Sequence, residues 1–200
     1  MKKFYAALFA VCFLACKNGK ENDKGSPDST DNYTISETDS LLNTETAIEE
    51  FKIATDNTIS KEQLAPVEEW REENAIQSPF TPSAKFLRDY RSVLRYSPDS
   101  SKILDFGSYG SVVTNNDKGE TVLEGGDPDT EVSIIDLKNK QRKRLFFSGP
   151  SGTIKSGSWL NNNTVMFSGY FDEANSGKPD TLFWLVNVDS LQFKKFRYHK

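Results

Sequence analysis

The C-terminal two thirds of the chain alternate short apolar runs with turn sequences. Beyond residue 90, runs rich in Val, Ile, Phe, Tyr and Trp include residues 132–137 and 181–188. Clusters of Asn, Asp, Gly, Ser and Pro separate these runs, as at residues 115–119 and 161–163. Short apolar runs bounded by turn residues are typical of strands joined by tight turns. The pattern therefore predicts an all-β fold built from antiparallel hairpins.

Two stretches of this region repeat each other. The triplet Pro-Asp-Thr at residues 128–130 recurs at residues 179–181, fifty-one residues later. At the same offset, Ile-Ile-Asp-Leu at residues 134–137 aligns with Leu-Val-Asn-Val at residues 185–188. Similarity at a fixed offset indicates two copies of one supersecondary unit. Chance similarity between two β-meanders is the alternative.

The first copy contains an insertion. Upstream of the triplets, Tyr96 and its turn align with Trp159 and its turn at an offset of sixty-three. The larger offset requires additional residues in the first copy, and a hairpin around Asn116 supplies most of them. We therefore predict two antiparallel β-meanders packed together, at about residues 91–148 and 153–198.

These meanders resemble the blades of Tol-type and WD-repeat β-propellers. The resemblance rests on the aromatic-Ser-Pro-Asp turn at residues 96–99 and on the strand at residues 134–137. Ser100 stands where the blade turn has glycine, and no Trp-Asp pair occurs. Closed propellers have at least four blades, and this chain has room for two. The resemblance thus implies either two sheets packed as a sandwich or blades contributed by several chains.

The segment before the β-rich region has a different composition. Residues 17–65 hold eleven acids, five bases and two aromatic residues, whereas residues 66–200 hold eighteen of each. Low hydrophobicity with net charge is typical of disordered segments. We therefore predict a largely disordered acidic tether over residues 16–65 and a β-rich domain over residues 66–200.

Short helices are predicted on either side of that boundary. Leu41, Ile48 and Phe51 share one helical face within the tether. Ser60 and Gln63 have the spacing of a capping box, and the following residues 66–75 are predicted to form a short helix against the domain. Its four glutamates would face solvent.

The first sixteen residues have the organisation of an export signal. Lys2 and Lys3 precede an unbroken apolar run at residues 4–15. As a helix this run is about 18 Å long, too short for a hydrocarbon core of about 30 Å but sufficient for a signal peptide. The run ends in Phe13-Leu14-Ala15-Cys16, which resembles the lipobox of bacterial lipoproteins.

The lipobox resemblance implies an anchor and a location. A signal peptide at residues 1–15 would be removed, and Cys16 would carry acyl chains such as palmitate that hold the protein on a membrane. Lys17 replaces the aspartate that retains lipoproteins in the inner membrane of enteric bacteria. By that analogy we expect an outer-membrane lipoprotein of the cell envelope.

The composition restricts the possible chemistry. Cys12 and Cys16 are the only cysteines, and His199 is the only histidine. The β-rich region therefore has no cysteine for a disulfide scaffold, a zinc finger or a cysteine nucleophile. Its one histidine is the second-last residue, so a buried Ser-His-Asp triad is very hard to build. The sequence of residues 149–156 is close to the phosphate-binding loop motif, but Ile154 occupies the position of the motif's essential glycine. We expect no enzymatic activity, no cofactor and no metal.

Acidic side chains offer two alternatives to that expectation. Asp127, Asp129 and Glu131 alternate along a loop and could supply oxygen ligands to calcium. Two carboxylates of a second loop could act as the acid pair of a glycan hydrolase, with the candidates Asp172, Glu173 and Asp180. An exposed acidic loop is the simpler interpretation in each case.

A basic hairpin is the candidate recognition site. Five cations occur within seven residues: Lys138, Lys140, Arg142, Lys143 and Arg144. We predict that they form a patch that binds an anionic partner, such as lipid head groups, lipopolysaccharide phosphates or an acidic protein. Solvated surface charge is the alternative. Nucleic acid is not expected, because the protein is exported and acidic overall.

These features together predict a non-catalytic envelope lipoprotein whose β-domain binds a protein partner or an envelope polymer. A second hypothesis is an inhibitor or immunity lipoprotein, in which the tethered domain blocks a foreign enzyme. A third is the carboxylate-based glycan hydrolase.

Overall fold

A computed structural model of the chain describes residues 35–56, 59–173 and 176–199, all of which belong to one compact unit. Its helices are α1 (Ile35–Leu42), α2 (Glu45–Thr55) and α3 (Ala84–Asp89). Its strands are β1 (Leu64–Arg71), β2 (Gln77–Pro79), β3 (Leu94–Tyr96), β4 (Lys102–Asp105), β5 (Ser111–Asn115), β6 (Thr121–Gly125), β7 (Thr130–Asp136), β8 (Gln141–Ser148), β9 (Gly152–Trp159), β10 (Thr164–Phe171), β11 (Asp180–Asn187) and β12 (Gln192–Tyr198). The predicted all-β class is confirmed.

Two antiparallel five-stranded sheets contain most of the strands. Sheet A has the order β1-β12-β11-β10-β9, and sheet B has the order β2-β8-β7-β4-β3. Each sheet is a four-stranded meander with one additional outer strand, β1 or β2. The predicted repeat matches the strands: β8 begins at Gln141 and β12 at Gln192, while β3 ends at Tyr96 and β9 at Trp159. The predicted insertion is the β5–β6 hairpin, which forms a separate two-stranded sheet.

The two sheets pack face to face around an aromatic core. Alternate side chains of each strand point inward, so Leu104 and Val132 of sheet B and Trp184 of sheet A belong to one buried apolar cluster. Phe146 projects from β8, and its ring centroid lies 4.9 Å from that of Trp184 and 5.7 Å from that of Phe167. The meanders are thus the two halves of a sandwich.

Helix α2 covers the outer face of sheet A. Ala47, Phe51 and Ala54 are buried along one side of the helix, whereas Ile48 is exposed. The Phe51 ring meets Phe183 of β11 edge-on, with centroids 5.3 Å apart. The predicted domain boundary at residue 66 is therefore wrong. Residues predicted to form tether belong to the folded domain, because the apolar outer face of sheet A requires a cover.

The outer face of sheet B is covered at one end by α3. Leu94, Ile103 and Ile135 form a third apolar cluster, against which Phe80 and Phe86 pack. Helices of the same chain therefore lie on both outer faces of the sandwich. Of the two arrangements implied by the propeller resemblance, the structure has the sandwich.

The helix predicted at residues 66–75 is wrong, because most of this segment is strand β1. The strand pairs with β12, which brings Glu68 opposite Lys195 and Glu69 opposite Lys194. The Trp70 ring stacks on Phe193 with centroids 4.8 Å apart. Cross-strand charge pairs and ring stacking stabilise the strand. Glu68 and Glu69, two of the four acids that suggested a solvated helical face, therefore lie opposite lysines instead.

The predicted signal peptide, Cys16 and the first part of the tether lie outside the described residues. Among the helices within those residues, none is long and apolar enough to cross a membrane.

Candidate functional site

The side chains of the five cations in the predicted basic patch point in different directions. Lys138 and Lys140 lie on the exposed turn between β7 and β8. The other three lie on β8, where successive side chains point to opposite faces. Arg142 and Arg144 point to the outer face of sheet B, and Lys143 points towards sheet A.

The two arginines form a charge network with two buried acids. The Arg142 Nη2 atom lies 3.0 Å from Oδ2 of Asp105, a residue that solvent does not reach. The Arg144 Nη2 atom lies 2.6 Å from Oε2 of Glu131, and Arg142 Nε lies 3.4 Å from its other oxygen. Two guanidinium groups thus neutralise two carboxylates. Arg142 and Arg144 are thus paired within the domain, and anion binding by the five cations stays a prediction.

Lys143 also lies apart from the turn lysines. It lines a cavity of about 170 Å³ at one end of the sandwich, together with Asp136 and Lys102. The Lys102 Nζ atom lies 3.2 Å from Oδ1 of Asp189 in the same cavity. Only Lys138 and Lys140 remain as an exposed basic pair, and their role in binding stays a prediction.

Two of the three acids proposed for calcium, Asp127 and Glu131, have hydrogen-bonding partners within the protein. Asp127 Oδ1 accepts a hydrogen bond from the Asp129 backbone N–H at 2.9 Å, and Glu131 is occupied by the arginine network. Within the described residues, no group of three or more His, Cys, Asp or Glu side chains is arranged to hold a metal ion.

The acids proposed for glycan hydrolysis are also engaged. Glu173 pairs with Lys195 and Arg197, and the Asp180 Oδ2 atom lies 3.0 Å from Arg197 Nε. Asp172 accepts hydrogen bonds from the backbone N–H groups of Ser176 and Gly177, and that from Ser176 contributes most to lowering its pKa. These contacts tie the loop after β10 to β12 and account for all three carboxylates.

The inserted hairpin presents apolar side chains to solvent. Val112 on β5 is 51% exposed, and beside the hairpin Tyr109 is 36% and Phe147 is 43% exposed. The Tyr109 and Phe147 rings meet edge-on with centroids 5.9 Å apart. The Arg144 guanidinium lies over the Phe147 ring at 4.8 Å from its centroid. Exposed aromatic residues beside an arginine are characteristic of protein interfaces.

The same insertion contributes nothing to the core. None of residues 107–130 is buried, and β5 pairs only with β6 among the described strands. In the second meander the equivalent connection is the shorter stretch of residues 172–179. The sequence predicts the hairpin but not its exposed apolar side chains, because burial depends on what packs against a strand.

Helix α2 carries a buried carboxylate that sequence reasoning missed. Glu50 is only 3% exposed, and both of its oxygens accept hydrogen bonds, one from Ser156 and the other from Ser158 on β9. Burial raises the pKa of Glu50, against the opposing effect of these hydrogen bonds. The signal in the sequence is a glutamate on the same helical face as Ala47 and Phe51.

An open groove lies between α1 and the outer part of sheet A. It has a volume of about 620 Å³ and an apolar lining that includes Leu42, Leu64 and Phe196. The Lys194 ammonium at its side donates a hydrogen bond to the Thr38 hydroxyl at 2.9 Å.

No known family model, curated protein or solved structure matches the chain.

Replacing Arg142 with Ser should destabilise the domain. The change leaves the fully buried Asp105 carboxylate without its cationic partner, and breaking such a pair costs about 3–5 kcal/mol. Lys138→Ser on the exposed turn of the same hairpin is the control, with an expected change within about 0.5 kcal/mol. Urea unfolding of both variants measures the difference. Equal losses would contradict the assignment of Arg142 to a buried network.

The stability of the domain should depend on pH through Glu50. Because its pKa is raised on folding, its contribution is fully present below the ordinary value of 4.5 and is lost as the pH rises through the higher folded pKa. Glu50→Gln keeps a neutral hydrogen-bonding group. The free energy of unfolding of the wild type should therefore fall relative to that of the variant as the pH rises above 4.5.

Urea unfolding across that pH range measures the effect. Glu45→Gln, at an exposed glutamate of the same helix, should follow the wild type. Parallel pH profiles for the wild type and Glu50→Gln would rule out this role of burial.

Proposed function

We propose that the protein is a lipid-anchored, non-catalytic binding module of the bacterial cell envelope. The β5–β6 hairpin and the adjacent Tyr109 and Phe147 form its recognition surface. The observation that carries this proposal is the insertion itself, which exposes apolar side chains and contributes no buried residue. The bound species is a protein partner or an envelope polymer.

Physical reasons support recognition by an added element. Long connections without a role in the core are characteristically functional, because a rigid scaffold positions them while their own sequence is free to serve binding. Here the scaffold is the pair of packed meanders. Exposed apolar side chains such as Val112 favour association, since contact with a partner removes them from water.

The anchor in this proposal is Cys16. The lipobox resemblance supports acylation of its thiol and amine, and Lys17 supports an outer-membrane location. More than one acyl chain is needed for a stable membrane attachment. The module would then present its hairpin at the membrane surface, at a distance set by the chain between Cys16 and α1.

Replacing Cys16 with Ser should abolish acylation, because the thiol that receives the lipid is absent. Cells supplied with a radiolabelled fatty acid would label the wild type and leave the Cys16→Ser protein unlabelled. Cys12→Ser is the matched control and should be labelled like the wild type. Labelling of the Cys16→Ser protein would exclude the lipoprotein hypothesis.

Excising the hairpin should remove partner binding and preserve the fold. The Gly126 backbone N–H donates to the Gly110 carbonyl at 2.8 Å, so an Asn-Gly turn can replace residues 111–125 between them. None of the deleted residues is buried, and we therefore expect a melting temperature close to that of the wild type. In intact cells, we expect a partner protein to be crosslinked to the wild type but not to the excision variant.

A double variant, Lys138→Ser with Lys140→Ser, is the control for this experiment. Under the proposal it captures the same partner as the wild type. Loss of the partner in this variant, with capture retained after excision of the hairpin, would place recognition at the basic turn instead.

A further inference from the structure

The inserted segment carries uncompensated negative charge. Residues 107–130 contain five acids and one base. Among the described residues, none of these five carboxylates forms an ion pair with a lysine or arginine, in contrast to Asp105 and Glu131 in the neighbouring network. Residues 66–200 as a whole hold equal numbers of acids and bases, so the rest of this region carries a net positive charge and the insertion concentrates negative charge around exposed apolar groups.

Acidic and apolar side chains lie next to each other on the inserted segment and the adjacent end of β8. We call this set of residues the hairpin surface (Tyr109, Val112, Glu124, Asp127 and Phe147). Val112 and Glu124 are cross-strand partners, and their side chains project from the same face of the hairpin. The Asp127 backbone N–H donates to the carbonyl of Gly110, next to Tyr109. A complementary ligand therefore has both cationic and apolar groups.

The hairpin also has an open backbone edge. Gly110 bonds to Gly126, and the Asn116 N–H donates to the Glu120 carbonyl, so alternate residues of the ladder bond across the pair. The intervening positions on β6 direct their N–H and C=O groups away from β5, and no described strand pairs with that edge. An unpaired edge is a template for an additional strand.

We infer that the hairpin surface binds an extended segment of a partner protein that carries both cationic and apolar side chains on one face. The inference rests on the proposed function and specifies its partner. Main-chain hydrogen bonds to the edge of β6 align the segment. Its cationic side chains meet Glu124 and Asp127, and apolar side chains on the same face of the segment lie towards Val112, the cross-strand neighbour of Glu124 on β5. An anionic envelope polymer does not fit this surface, because the uncompensated carboxylates repel it.

The test uses synthetic peptides as probes of the full chain in detergent. A fluorescein-labelled octapeptide, Lys-Ser-Val-Ser-Lys-Ser-Val-Ser, places Lys and Val on the same face of an extended strand. This Lys/Val peptide is titrated with the protein, and fluorescence anisotropy reports binding. The comparison peptides replace every Lys with Glu or every Val with Ser. The Lys/Val peptide should bind most tightly, and its affinity should fall with added salt because exposed charges are screened.

Variants locate the binding site. Glu124→Gln combined with Asp127→Asn should weaken binding of the Lys/Val peptide about fivefold, and Val112→Ser by a similar factor. The matched control is Glu45→Gln combined with Glu68→Gln, which removes two exposed acids of α2 and β1 and should leave the affinity unchanged.

Three results would overturn the inference: no binding of the Lys/Val peptide, equal binding of the Lys/Glu-exchanged peptide, or an equal loss of affinity in the control variant. The loss of a cellular partner after hairpin excision is an independent result, and none of these three outcomes contradicts it. If excision of the hairpin abolishes partner capture but the Lys/Val peptide does not bind the wild type, the proposed function stands and this partner chemistry is refuted.

Discussion

The apolar character of both faces of each sheet governs the rest of the structure. On β11, Trp184 and Val186 point into the sandwich, while Phe183 and Leu185 point away from it. Two such sheets can cover only one face of each other, so two apolar outer faces remain. Helix α2 covers one and α3 part of the other, which explains why the chain needs helical segments before its first meander. Without them, the same sequence would expose large apolar surfaces to water.

The strands were predictable to the extent that local sequence determines them. The offset between Gln141 and Gln192 identifies equivalent strands, because repeated turn and apolar residues produce repeated hairpins. Helix α2 and strand β1 were harder to predict, since their acids suggest solvent exposure. Glu50 instead bonds to Ser156 on the sheet, and Glu69 lies opposite Lys194. Those partners are more than a hundred residues away, and only the tertiary structure brings them together.

The candidate site shows the same limit. A cluster of cations along the chain suggests a basic surface, but alternation along β8 directs Arg142 and Arg144 towards acids on neighbouring strands. The five carboxylates of residues 107–130, in contrast, form no ion pair with a lysine or arginine of the described residues. Spacing in the sequence identifies residues with related chemistry, whereas the direction of each side chain decides which are neutralised within the fold. Recognition by this domain therefore depends more on its insertion than on the repeated scaffold.

The position of α2 has a mechanical consequence. The chain reaches the first sheet strand only after α1 and α2, and α2 lies across sheet A, held by Phe51 and by the hydrogen bonds of Glu50. A pull on the N-terminal end would therefore act on the helices before it reached β1. Lifting α2 breaks its contacts progressively and leaves the ladders of both meanders intact. If the protein is tethered to a membrane, detachment of these helices would absorb tension at the anchor before the strands of the sandwich were loaded.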